Sequence, residues 1–255
     1  MSAPLPISLC VITRDAAGEL DACLASAAFA DEAVVVDSGS VDDTVEIARR
    51  RGARVVTQAF LGYGAQKNFA VAQATHDWVL CLDADERLSP ELARSISDAM
   101  AGTRDAAGYR LARRNRFLGR WLRHGEGYPD WNLRLFDRRR ARWTEDPVHE
   151  HVVATGRVLS LPGDLLHESA ESLENYLAKQ NRYTTLQAAA MHARGARAGA
   201  ARIVLSPLVR FVRFYLFRLG FLDGVAGFVH IAIGCFNTMM KFAKLRALTV
   251  AAGRK

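Results

Sequence analysis

The chain has 255 residues, half of them hydrophobic, a mean hydropathy of −0.02 and a formal net charge of +7. That length and apolar content exclude a disordered tail and suffice for one large core, or a core with an appendage. The charge is divided: residues 1–180 carry 22 Lys+Arg against 26 Asp+Glu, and residues 181–255 carry 12 against 1.

The basic segment is apolar as well as charged, which favours an anionic membrane surface over nucleic acid. Cys10, Cys23, Cys81 and Cys235 form no C-x-x-C pair, and Cys10 and Cys81 fall inside apolar runs, so a reduced, cytosolic compartment is expected. The first residues lack a basic n-region, and the following apolar run is interrupted by Arg14 and Asp15, so a secretory signal is not expected.

From residue 7 to about 113 strand and helix patterns alternate, as a parallel sheet with covering helices requires. Strands are predicted at 7–13, 33–37, 54–57, 78–83 and 108–112. Leu20, Cys23, Leu24 and Ala27 recur at helical spacing. Ser40 with Asp43 suits a helix start, Gly52 suits that helix's end, and Ser89-Pro90 opens another. The middle, 114–168, is rich in Arg, Trp, Gly and His, with strands predicted at 132–136 and 148–153. It is too irregular for another βαβ unit, and polar and aromatic residues crowded beside a scaffold usually face a ligand. From Ser172 the pattern turns helical, loosened at Gly195 and Gly199, with apolar segments at 203–221 and 224–240.

Chemistry concentrates at strand ends. The strand Val79-Leu80-Cys81-Leu82 ends in Asp83-Ala84-Asp85-Glu86. A buried strand cannot keep carboxylates inside it, so these acids should emerge at the carboxyl edge, where open α/β sheets place ligands. Asp83 and Asp85 could converge there on a hard divalent cation whose remaining ligands are phosphate and water. The strand Val34-Val35-Val36 ends in Asp37-Ser38-Gly39-Ser40; Asp37 is placed to accept from a nucleoside, or to serve the turn. Lys67 and Asn68, on the helix before the acidic strand, are further candidates for the nucleotide.

The order of the 7–15 segment, Val34-Val35-Val36-Asp37-Ser38-Gly39-Ser40-Val41-Asp42-Asp43-Thr44, Ala65-Gln66-Lys67-Asn68 and Leu82-Asp83-Ala84-Asp85-Glu86 resembles the family 2 glycosyltransferases of the GT-A fold. Tyr128-Pro129-Asp130-Trp131-Asn132-Leu133-Arg134-Leu135-Phe136, then Asp146-Pro147-Val148-His149-Glu150, and residues 179–185, resemble the bacterial subfamily of lipopolysaccharide inner-core β-glucosyltransferases. The resemblance implies an α/β fold: a GT-A, Rossmann-like, mostly parallel sheet with helices on both faces, plus a C-terminal helical extension. It implies a catalytic domain over 1–170, with a nucleotide half over about 5–115 and an acceptor half over about 116–170, and a membrane-associating extension over 171–255. Its activity would be metal-dependent, inverting transfer of a hexose, glucose, from a UDP-type nucleoside-diphosphate sugar to a lipid-linked acceptor at the cytoplasmic face of the inner membrane.

The site residues follow from that resemblance. Thr13, Asp15, Asp37, Lys67, Asn68, Asp83, Arg134 and Arg182 would hold the nucleotide sugar. Asp85 with Asp83 would hold Mg²⁺ or Mn²⁺, with His149 or His167 as a further ligand. Asp130, Glu145, Asp146 and Glu150 compete as the base that activates the acceptor hydroxyl; Glu150 is favoured because it closes a strand pattern beside His149, with Asp146 and Asp130 as alternatives. Arg134 projects opposite to Leu133 and Leu135, toward phosphate or a structural ion pair. Trp121 and Trp131 are candidates to stack on sugar, or to serve a core or lid. Processive relatives carry Gln-x-x-Arg-Trp, and this chain has Gln180-Asn181-Arg182-Tyr183, which argues against polymer synthesis.

In the tail, Arg210, Arg213 and Arg218 interrupt the first apolar segment, while His230 and Asn237 lie within the second. Helices lying on a membrane are the expected reading, ahead of a spanning helix or an ordinary helical subdomain. Rival readings are a haloacid dehalogenase-type phosphatase, which would want Thr or Val where Leu88 stands, and a nucleotidyltransferase, which would want a Gly-rich loop where Thr13-Arg14-Asp15-Ala16 stands. A non-catalytic membrane-surface protein on the same scaffold need not keep both strand-end acids.

Overall fold

Runs of aliphatic and β-branched residues, buried on both faces, build the centre of the sheet. The computed structural model describes residues 5–102, 105–146, 150–168 and 172–252. Strand β1 (Leu5–Thr13) pairs in parallel with β2 (Ala30–Asp37), which carries β3 (Arg54–Thr57) on its far side, and with β4 (Trp78–Asp83). Helices α1 (Leu20–Ser26), α2 (Thr44–Arg50), α3 (Tyr63–Gln73) and α4 (Pro90–Ala101) connect these strands to one another and to the rest of the sheet. One core layer joins Leu9, Val11 and Leu80 to Leu20, Ile47, Leu92 and Ile96; the other joins Cys10, Val34, Val36 and Cys81 to Ala70, Val71 and Trp143. The strict alternation along β1 is what feeds both layers.

Local signals mark some of the helix ends. Ser89 accepts a hydrogen bond from Leu92 N at 3.2 Å with Pro90 in the first turn, and Gly52, at φ +77°, follows the end of α2. Ser40 does not cap α2, whose first flanking residue is Asp43; its hydroxyl instead donates to Asp37. Gly64 lies so close to the backbone that a Cβ there would fall 1.9 Å from the Thr144 carbonyl oxygen.

The other half of the sheet is antiparallel. It contains β5 (Glu86–Leu88), β6 (Gly108–Phe117), β7 (Arg120–Trp121) paired to the end of β6, β8 (Asp130–Asp137) and β11 (Val158–His167), while β9 (Ala141–Trp143) and β10 (Val152–Ala154) lie outside it. The order is β3-β2-β1-β4-β8-β6-β11-β5, with β9 and β10 forming a separate ribbon. The strand expected at 148–153 begins at Val152; residues 147–149 lie outside the described residues. Strand β11 is not apparent from the sequence because Pro162-Gly163 interrupts it. Gly163 has φ +96°, and a Cβ there would sit 2.4 Å from Leu92 N, so glycine lets α4 lie against the strand.

The described residues form two compact units, one of residues up to Arg114 with Asp130–Glu168, the other of Asn115–Pro129 with the residues after 168. The second contains α5 (Leu173–Ala193), α6 (Ala200–Phe211), a π-helical turn Val212–Phe217, a 3₁₀ turn Gly220–Asp223 and α7 (Gly224–Ala252). The apolar segment expected over 203–221 is thus broken, with Leu219 in the left-handed region at φ 55°. Lys244 Nζ joins α7 to α5 through Asn181 Oδ1 at 2.7 Å and Thr184 Oγ1 at 2.8 Å. Residues 115–129, expected in the acceptor half, group with the helices for a physical reason. Buried Asp223 accepts from Arg123 N and His124 N, both at 2.8 Å, and Arg210 Nε bonds Glu126 Oε2 at 3.0 Å.

At the amino edge of the sheet, Glu32 gathers Ser8 Oγ at 2.6 Å, Thr75 N at 2.8 Å and Arg54 Nη2 at 2.8 Å. Burial opposes its ionisation, but the bonds from Ser8, Arg54 and Thr75 prevail and bring its pKa from 4.5 to about 2. A depressed carboxylate pKa gives stability that is present above the unfolded value and lost as pH falls through the folded one. Glu32→Gln is therefore expected to cost about 1–3 kcal/mol in urea unfolding at pH 7. The gap between the native chain and the variant should narrow as pH is lowered from about 4.5 to about 2.

Candidate active site

The parallel strands deliver acids to one edge. Asp37 ends β2, opposite Thr13 of β1, and its Oδ2 accepts from Gly39 N and Ser40 N, both at 3.0 Å. The Asp37 carboxylate is thus buried within its own turn. The neighbouring loops are laced together: Ser40 Oγ accepts from Asp15 N at 2.9 Å, Asp15 Oδ1 accepts from Val41 N at 2.8 Å, and Thr44 Oγ1 accepts from Ala16 N at 2.8 Å. Asp15 adopts φ 50° to do so. Thr13 Oγ1, buried at the strand end, has no hydrogen-bond partner among the described residues. Gln66, buried on α3, ties the turn to the stretch after β3 by donating to Ser38 Oγ at 3.0 Å and Gln58 O at 3.2 Å.

At the end of β4 the two acids have different surroundings. Asp83 Oδ1 lies 3.0 Å from Lys67 Nζ, and Asp83 Oδ2 lies 2.6 Å from Arg134 Nη2. Burial opposes ionisation of Asp83, yet the charges of Arg134 and Lys67 outweigh it and hold the carboxyl well below the usual range. Asp85, two residues on, turns to His167 at the end of β11, with Nε2 to Oδ2 at 3.1 Å. Burial again opposes ionisation, and the hydrogen bond from His167 wins, so Asp85 too stays below the ordinary carboxylate range. Both Asp85 and His167 keep part of their side chains in contact with solvent.

The ion pairs continue in both directions from Asp83. Lys67 Nζ also meets Glu150 Oε1 at 3.0 Å, and Arg134 Nη2 also meets Glu86 Oε1 at 2.7 Å. Arg113 then links Glu86 at 3.5 Å to Asp130 at 2.7 Å. Seven side chains thus alternate in sign from Glu150 to Asp130, two of the candidate bases. Burial works against the Arg134 charge, and Asp83 and Glu86 more than compensate, raising its pKa. The Trp143 ring adds to the cation sites: Lys67 Nζ stands 4.4 Å and the Arg134 guanidinium carbon 5.4 Å from its centroid.

Several expected residues are placed otherwise than a free ligand-binding role requires. Asn68 commits both ends of its amide to Trp143, donating to the carbonyl and accepting from the N–H, each at 3.0 Å, so it fastens α3 to β9. Arg134 is buried in its ion pairs, which is the structural alternative to phosphate binding. Lys67 is buried, and both of its acid partners are protein carboxylates. Asp146 is exposed, 3.9 Å from His151. Glu145 and Trp131 are exposed; Arg182 is exposed on α5 of the second unit, to which Trp121 also belongs. His149 lies outside the described residues. Glu86, Arg113 and Trp143 were not singled out from the sequence. Only Glu86 carried a signal, as the acid directly after Asp85.

Asp85 offers a carboxylate, which suits Mg²⁺ or Mn²⁺, and the imidazole of His167 beside it is a nitrogen donor that fits Mn²⁺ better than the oxygen-seeking Mg²⁺. Among the described residues no group of three or more His, Cys, Asp or Glu converges, so a cation there would draw its other ligands from phosphate and water.

The sequence profile of glycosyl transferase family 2 matches residues 8–157, and the chain belongs to that family. Among its relatives, the lipopolysaccharide core biosynthesis glycosyltransferase LpsC of Rhizobium meliloti (strain 1021) is 30% identical over 249 residues, covering 94% of this chain and 92% of its own. An uncharacterized glycosyltransferase of Rickettsia bellii (strain RML369-C) is 31% identical over 256 residues, covering 96% and 87%. Among solved structures, glucosyl-3-phosphoglycerate synthase from Mycobacterium tuberculosis, in complex with Mg²⁺ and uridine-diphosphate, is similar over 43% of this chain and 44% of that one, with a TM-score of 0.38 and 22% identity.

The shared cation between Asp83 and Glu86 sets an energetic expectation. Arg134→Met takes a cation from the fully buried Glu86, leaving it Arg113 at 3.5 Å, and from the half-buried Asp83, leaving it Lys67, and should cost about 3 kcal/mol in urea unfolding at pH 7. Trp131→Ala, at an exposed ring, should stay within about 0.5 kcal/mol of the native chain.

Proposed function

We propose that the chain is a metal-dependent, inverting hexosyltransferase that takes glucose from UDP-glucose, or a closely related nucleoside-diphosphate sugar, and transfers it to a lipid-linked saccharide. The acceptor we favour is the lipopolysaccharide core or a related cell-envelope glycan, and the site of action is the cytoplasmic face of the inner membrane. Membership of family 2 supports the reaction class, and similarity to LpsC along nearly the whole chain supports the acceptor class. The observation that carries the reading is the division of labour at the end of β4. Asp83 is neutralised by Lys67 and Arg134, while Asp85, about equally exposed, pairs with His167.

In this reading Asp85 and His167 would hold the divalent cation. When bound with the donor, the cation supplies neutralising charge for the leaving diphosphate. Thr13, Asp15 and Asp37 form the nucleoside end: the loops after β1 and β2 are laced by hydrogen bonds, and Thr13 keeps an unpartnered hydroxyl there. Lys67 orients Glu150, the favoured base, and keeps a positive charge between it and Asp83. Glu150 would take the acceptor hydroxyl's proton as that oxygen attacks the anomeric carbon from the face opposite the diphosphate. Asp130 is the weaker alternative because Arg113 grips its Oδ2 through both Nε and Nη2. Asp146 is weaker because it is exposed. The first unit is assigned the transfer chemistry and the helical unit the membrane association.

Donor binding and donor hydrolysis across a panel of nucleotide sugars, with and without Mn²⁺, test this reading. UDP-glucose should bind best in the presence of the metal, and Asp85→Ala should remove the metal's effect. Donor binding that ignores both metal and Asp85 would sink the metal-dependent assignment. With an acceptor present, Glu150→Gln should lower kcat by about 10²–10⁴-fold. Donor affinity should be little changed; a near-native kcat would move the base to Asp130 or Asp146.

A further inference from the structure

The second unit leaves a large apolar surface uncovered near the turn between its last two helices. Phe217 is 80% and Val225 76% exposed, and Val209, Leu216, Leu219 and Leu222 are each about half exposed or more. Soluble chains rarely leave so many large apolar side chains open within one short stretch. The backbone displays them deliberately: the π-helical turn, left-handed Leu219 and the 3₁₀ turn keep 212–223 from folding back as a regular helix.

The surrounding charge selects the occupant. Asp223 is the single acid among residues 181–255, and it is buried with its carboxylate turned to Arg123 N and His124 N. Cations remain: Arg213 is exposed, and Arg120 is exposed and donates to Leu222 O at 3.0 Å, placing a guanidinium at the margin of the apolar turn. Leu118, in the left-handed region at φ 47° on the β6–β7 turn, is exposed between Arg116 and Arg120. An apolar tip with a basic margin and no exposed acid from its own helices complements an anionic bilayer, with side chains at the acyl boundary and arginines at the headgroups.

We propose that residues 209–225, with the 116–120 hairpin, form a membrane-docking wedge for lipid bilayers bearing anionic headgroups, entering one leaflet without crossing it. The wedge gives a location to the membrane association proposed above and rests on it only for its biological purpose. Helix α7, with the turn before it, is long and apolar enough to span a membrane by composition, but 39% of its most apolar window is buried inside the protein. The buried face of the helix, which includes Ile231, Gly234, Thr238 and Phe242, supports the wedge from behind.

Flotation of the full-length chain with vesicles tests the wedge independently of any transferase activity. The native chain should float with phosphatidylcholine vesicles containing phosphatidylglycerol, float less with phosphatidylcholine alone, and be released by salt. Phe217→Ser combined with Val225→Ser should reduce the floated fraction about ten-fold at an unchanged unfolding midpoint, since both residues are exposed. Arg213→Gln should weaken binding to the anionic vesicles only. The wedge is overturned if the native chain stays unbound at low salt, or if the double variant floats like the native chain. It is equally overturned if the native chain is a detergent-free dimer that the double variant dissociates without loss of flotation.

Discussion

Alternation of charge governs the acid-bearing edge of the sheet. Lys67, Arg134 and Arg113 separate Glu150, Asp83, Glu86 and Asp130, so each acid meets a cation before it meets another acid. Four carboxylates crowded without those cations would repel one another and take up protons. The ladder also joins distant segments: α3 supplies Lys67, β4 Asp83, β5 Glu86, β6 Arg113 and β8 both Asp130 and Arg134. The antiparallel half of the sheet is therefore more than an extension of the parallel half. Strand β8 runs antiparallel beside β4 and brings a guanidinium to the last residue of the acidic strand. Asp85, two residues past that strand, lies outside the ladder and pairs with His167 instead.

The parallel half of the fold was legible because its signals are local. A doubly buried strand shows as a continuous apolar run, and Ser89-Pro90 and Gly52 mark helix ends by steric and hydrogen-bonding rules that operate within a turn. The acids at strand ends were legible for the same reason. Strand β11 was not, since its Pro162-Gly163 interruption makes sense only once α4 lies across it. The partners of Lys67 and Arg134 were equally hidden. Lys67 meets Glu150 across 83 positions of sequence, and Arg134 meets Asp83 across 51, distances over which periodicity carries no information. Asn68 illustrates the resulting ambiguity: its amide suits a nucleotide or a strand edge, and the tertiary structure gives it to Trp143.

In the helical unit the sequence displays the charge imbalance but not its geometry. The lone acid of residues 181–255, Asp223, serves two backbone N–H groups of the 115–129 stretch and is buried there. Arg210 is likewise withdrawn, bound to Glu126 and donating to Thr238 at 3.0 Å. The charge that residues 181–255 show to solvent is therefore that of their remaining arginines and lysines. Composition alone would have counted Arg210 with Arg213, although one is tied to Glu126 and Thr238 and the other is exposed.

Gly64 carries a consequence for how such a chain can diverge. Its backbone sits against the Thr144 carbonyl three residues before Lys67, with no room for even a methyl group. Any side chain at that position would lift one turn of α3 and withdraw the ammonium from two carboxylates at once. The position is thus a steric lock on a charge, invisible to any survey of polar residues. Lineages that explore new sugars should vary the exposed loops first, since drift at residue 64 would dismantle the electrostatics before it altered specificity.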